Sequence, residues 1–140
     1  MRPGRESVRS ATDRTLASAS LAQAAGTLTV HLLPLLVHLV ATGGRLTAFE
    51  AGSYATAFSV GQLAATLLLP SLAASLPPGR VVMAAGLVLC ASLIAAGWIA
   101  VPPHGLWATA GLASGALICA SAMTAARDPR PMLAFSKWFS

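Results

Sequence analysis

The amino-acid sequence predicts an all-α, polytopic integral membrane protein with four transmembrane helices. Three observations carry this. Hydrophobic residues make up 56% of the 140 positions and charged residues only 9%, against about 25% charged in a soluble domain. Such a chain lacks the polar groups to cover a water-facing surface, and it is too apolar for intrinsic disorder. The nine basic and four acidic residues gather at the ends of long uncharged stretches. Those stretches are continuous and rich in alanine and leucine, whereas a transmembrane β-barrel needs alternation of apolar and polar residues.

Residues 1–15 form a basic cytoplasmic tail carrying Arg2, Arg5, Arg9 and Arg14. The first helix is expected near 16–41, since a crossing needs about 20 apolar residues. A cleaved signal peptide is the weaker reading, because the uncharged run 15–44 is about twice a usual h-region. The second helix is expected near 48–76, beyond the loop that holds Arg45 and Glu50, an exposed interfacial pair. The third lies near 80–101 after Pro77-Pro78-Gly79-Arg80. The fourth lies near 106–126 after the turn Pro102-Pro103-His104-Gly105. Residues 127–140 are a cytoplasmic tail or the start of a missing fifth helix. Eight of the nine basic residues fall on one side of this arrangement and Arg45 on the other. The positive-inside rule then places both termini in the cytoplasm of a plasma-membrane protein.

Polar residues inside these spans are the candidates for function. On the first helix Gln23, Thr27, His31, Pro34 and His38 recur every three or four residues, one helix face. Either this stripe hydrogen-bonds neighbouring helices, or His31 and His38 meet a watery cavity and bind a proton or substrate. Pro34 frees a backbone carbonyl beside His31. On the second helix Gly52, Ala55, Ser59, Gln62 and Thr66 form a matching seam. Gln62 is either packing glue or a second group in the same cavity. Tyr54, Trp98, Trp107 and Trp138 read as interfacial anchors. On the fourth helix Gly111, Gly115, Cys119, Ala122 and Ala126 make a small-residue ladder that lets another backbone approach, with Ala110 off that face.

Other chemistry is excluded by composition. Cys90 and Cys119 are small apolar residues within the spans; two cysteines cannot build a four-ligand metal site. The acidic residues Glu6, Asp13, Glu50 and Asp128 all fall outside the membrane core, and no catalytic motif is present. No metal, cofactor or enzymatic activity is expected. The basic residues form no stripe, so the partners are the lipid bilayer and a small-molecule solute rather than nucleic acid.

Taken together, residues 16–131 resemble the amino-terminal portion of a major facilitator superfamily carrier. Ala51-Gly52-Ser53-Tyr54-Ala55-Thr56-Ala57-Phe58-Ser59-Val60-Gly61 is similar to that family's second-helix opening. Leu76-Pro77-Pro78-Gly79-Arg80 sits where the family has its signature loop, and Val81-Val82-Met83-Ala84-Ala85-Gly86 is similar to its third-helix start. Gly111-Leu112-Ala113-Ser114-Gly115-Ala116 resembles its fourth-helix glycine run, and Asp128-Pro129-Arg130 the loop after it. The resemblance implies alternating-access transport of a small solute, often coupled to protons. The sequence departs from the family in the signature loop, where only Gly79 and Arg80 remain of the charged pattern, and at Trp107, where the family often has arginine. The family also has twelve helices in two halves. The remaining helices would come from the same gene, a partner subunit or copies of this chain. The alternative is a non-transporting four-helix subunit or interaction protein that docks through Gly111 and Gly115.

Overall fold

The computed structural model describes residues 4–44, 46–72, 76–99 and 103–127, with side chains from Thr15 onward. Four α-helices follow one another: α1 (Gly4–Gly44), α2 (Ala48–Leu72), α3 (Pro78–Trp98) and α4 (His104–Ala126). All four are long and apolar enough to span a membrane, with candidate spans at Thr15–Gly43 and over the whole of α2, α3 and α4. The shortest, α3, has 21 residues, which at 1.5 Å per residue is about 31 Å, the thickness of a bilayer's hydrocarbon core.

The helix ends follow from local chemistry. α1 is 41 residues long; its backbone is helical from Gly4, while its candidate span begins at Thr15, next to the expected position 16. No proline interrupts residues 4–14. α1 also runs unbroken through Pro34, which costs one hydrogen bond, to the Val30 carbonyl. α2 is described to Leu72, with Pro70 inside its last turn; residues 73–75 lie outside the described residues, and Leu76, the expected end, is not helical. α3 starts two residues early because Pro78 occupies its first turn, where a missing N–H costs nothing. α4 likewise starts at His104 after Pro103.

The start of α2 is closed by a capping box. The Glu50 carboxylate accepts from the Thr47 N–H at 2.8 Å and from the Thr47 hydroxyl at 2.8 Å, while the Glu50 N–H donates to Thr47 Oγ1 at 3.3 Å. Glu50 is therefore a capping group; Arg45, its expected interfacial partner, lies outside the described residues.

Packing centres on α4, the last helix in sequence. Of its span 61% is buried, against 17% to 22% for the other three. α1, α2 and α3 each lie against α4, while α2 and α3 scarcely touch one another. The α2–α4 contact brings backbone onto backbone. A Cβ added at Gly111 would strike the Phe58 carbonyl, one at Gly61 the Ala108 carbonyl, and one at Gly115 would come within 2.8 Å of Gln62 O and Ala65 Cβ. Gly26 serves the same purpose between α1 and α4, where a Cβ would meet Ser114 O at 2.9 Å. Ala110 also belongs to this core at 2% exposure, so it does not lie off the packing face as its position relative to the ladder implied. The outside of the bundle carries large apolar side chains, among them Leu67, Leu87 and Trp98 at 68%, 68% and 89% exposure.

Candidate functional site

The polar stripe on α1 divides into two parts. The buried face of the helix runs through Ala19, Ala22, Gly26, Thr29, Leu33 and Val37. Gln23 and Thr27 flank it and are half-buried; His31, Pro34 and His38 are exposed. The cause is helical geometry. Each four-residue step overshoots one turn by about 40°. Going from Gln23 to Thr27 to His31 therefore rotates the stripe away from α4.

The inner part is a hydrogen-bonded connection between helices. Ser121, fully buried, donates to Gln23 Oε1 at 2.5 Å and also to the Ile118 carbonyl at 2.7 Å. The Gln23 amide in turn donates to Thr27 Oγ1 at 3.4 Å. A turn further along, Ser114, also fully buried, donates to the Gly26 carbonyl at 3.0 Å. These groups satisfy one another, which is what a low-dielectric interior demands. Ser114 and Ser121 escaped sequence reading because serine is common in membrane helices and its partners lie 88 and 98 residues away.

The outer part is open. His31 lies near the middle of the span Thr15–Gly43 and its imidazole makes no hydrogen bond among the described residues. No hydrogen bond joins it to Gln62, Gln23 or Thr27. His38 is exposed nearer the end of the span. On α2 the expected seam also turns outward. Tyr54, Phe58, Gly61 and Ala65 form its buried face. Gly52, Ser59 and Thr66 are exposed, with the Ser59 and Thr66 hydroxyls donating to carbonyls one turn back, at 2.9 Å each. Gln62 is half-buried, its backbone against Gly115.

A second cluster, missed in the sequence, closes the bundle where α2 and α4 begin. Ser53 Oγ lies 2.6 Å from His104 Nε2. The His104 ring stacks on Tyr54 with centroids 4.7 Å apart, and Tyr54 tilts against Trp107 at 5.8 Å. Tyr54 and Trp107 are each only 2% exposed. They are core residues and not the interfacial anchors that their positions near helix ends suggested. The Trp107 indole N–H is buried without a hydrogen-bond partner among the described residues. The usable signal was Ser53-Tyr54 facing His104-x-x-Trp107 across two parallel helices, legible only once the pairing of α2 with α4 is known.

Gly79 and Arg80 occupy the first turn of α3, both exposed. No atom would obstruct a Cβ at Gly79, so the glycine is not required by the packing here. Among the described residues no group of three His, Cys, Asp or Glu side chains could hold a metal ion. Trp138 and the Asp128–Arg130 segment lie outside the described residues. No family model, curated protein or solved structure matches the chain.

Proposed function

We propose that the chain is a multi-pass plasma-membrane protein, both termini cytoplasmic, whose α1 forms one wall of a solute pathway completed by further protein. The resemblance to major facilitator carriers makes that pathway one of alternating access for a small solute, with His31 the candidate proton or substrate group. His38, Gln62 and the outer seam of α2 are its candidate neighbours. One observation carries the reading: His31 stands uncovered at mid-span with no hydrogen-bonding partner among the described residues. An imidazole is costly to leave in hydrocarbon, so such a residue belongs against protein or water. The alternative, a subunit that docks through Gly111 and Gly115, loses its surface, because α2 already occupies that face.

Cysteine accessibility tests this in intact membranes, after Cys90→Ala and Cys119→Ala remove the native thiols. His31→Cys is expected to react with a charged, water-soluble thiol reagent. Leu32→Cys, at the same depth on the opposite flank, is expected to stay unreacted. Equal silence at both positions would place the stripe in lipid or under a dry helix and end the pathway reading. In the same background His104→Cys should label from outside sealed cells, and Leu76→Cys only after permeabilisation. The reverse pattern would invert the orientation.

A further inference from the structure

The helix arrangement leaves α4 open to the outside at Leu112. Because α2 and α3 scarcely touch, a slot of about 410 Å³ opens between them with α4 as its floor. Leu69 lines it from α2, Ala84 and Val88 from α3, and Leu112 and Ala116 from α4. Leu112 is 47% exposed there, between the buried Gly111 and Ala113. Every lining side chain is apolar except one. Arg80 stands at the slot's end, lending its stem to the wall.

Two features of Arg80 bear on what fills the slot. Its side chain makes no ion pair among the described residues. Glu50, the one acidic residue among the described side chains, is engaged by Thr47 at the start of α2, at the far end of the bundle from the start of α3. An arginine beside a greasy channel offers its stem to apolar surface and its guanidinium to the headgroup layer. From Arg80 to Val88 the slot extends about 12 Å along α3, the direction a lipid tail takes from the interface toward the bilayer centre. A second, wholly apolar helix would fit the walls but would bring the guanidinium no counter-charge. A phospholipid supplies both parts, a chain for the slot and a phosphate for the fork-shaped cation.

We propose that the slot between α2 and α3 binds one anionic phospholipid, its acyl chain lying along α4 at Leu112 and Ala116 and its phosphate paired with Arg80. This requires only that the helices span a bilayer and stands apart from any transport activity.

The test reconstitutes the full chain in vesicles of equal parts phosphatidylglycerol and phosphatidylcholine, extracts it in mild detergent and measures retained lipid by native mass spectrometry. Expected is one lipid per chain, with phosphatidylglycerol favoured about fivefold, the preference one basic group gives near a membrane surface. Arg80→Gln should abolish the preference and Arg80→Lys should keep most of it. Ala84→Phe should fill the slot and remove both lipids. Arg80 and Ala84 are both exposed, so the bundle tolerates these changes, and unchanged helical circular dichroism checks it. An undiminished preference in Arg80→Gln overturns the proposal. So does lipid retention in Ala84→Phe, or a dimer in the wild type that Ala84→Phe converts to monomer, which would make a second copy the occupant.

Discussion

At Gly111 the α4 backbone lies against the Phe58 backbone with no room for a side chain. A methyl there cannot be relieved by a rotamer change, since the obstructing atom is a carbonyl oxygen. Gly111→Leu is therefore expected to cost about 3 kcal/mol or more, the upper range for overpacking. Leu112→Ala, one residue on but in the open slot, should cost well under half of that. Thermal unfolding in detergent separates the two, and equal melting of both variants would contradict the contact. The small-residue spacing of α4 made Gly111 and Gly115 visible in the sequence. It could not show which helix they meet, nor that Gly61 and Gly26 answer them from α2 and α1, because a close approach is a property of two surfaces. Tyr54 and Trp107 misled for the same reason: an aromatic near a helix end is interfacial unless another ring covers it, and here they cover each other.

At the scale of the element, charge and hydropathy fixed the number of helices and their order, since an uncharged run of bilayer length has little else to become. Ends were less legible. α3 and α4 begin, at Pro78 and His104, two residues before the apolar runs suggest, and the first helix extends back through residues that look polar. The start of α2 shows what the sequence does encode once read as a cap. Thr47-x-x-Glu50 satisfies two backbone donors that would otherwise stay open. Thr47→Ala is expected to destabilise the bundle by about 1 kcal/mol. Glu50→Gln should cost less, because an amide oxygen can still accept from the Thr47 N–H. Chemical unfolding in detergent reads both, and a larger loss in Glu50→Gln would mean the carboxylate has another duty. The stripe on α1 was legible as a pattern but not as a division, because the rotation that parts Gln23 from His31 accumulates too slowly to be seen in spacings of three and four.

At the scale of the whole molecule, three helices gather about a fourth instead of pairing in turn. Every strong packing surface in the bundle, whether backbone against glycine or serine against carbonyl, has α4 as one of its two sides. During synthesis α4 is the last of the four to be made. α1, α2 and α3 can each enter a bilayer as independent helices, yet until residues 104–126 arrive they have little to hold them to one another. Assembly is then expected to follow translation, the bundle closing in one late event instead of growing helix by helix. A chain stopped at residue 103 is expected to insert but remain loose. Disulfide crosslinking between Ala22→Cys and Tyr54→Cys should then form indiscriminate products, whereas the full chain gives none at these two buried positions. A chain stopped there that protects both thiols as the full chain does would show that the early helices have a partner other than α4.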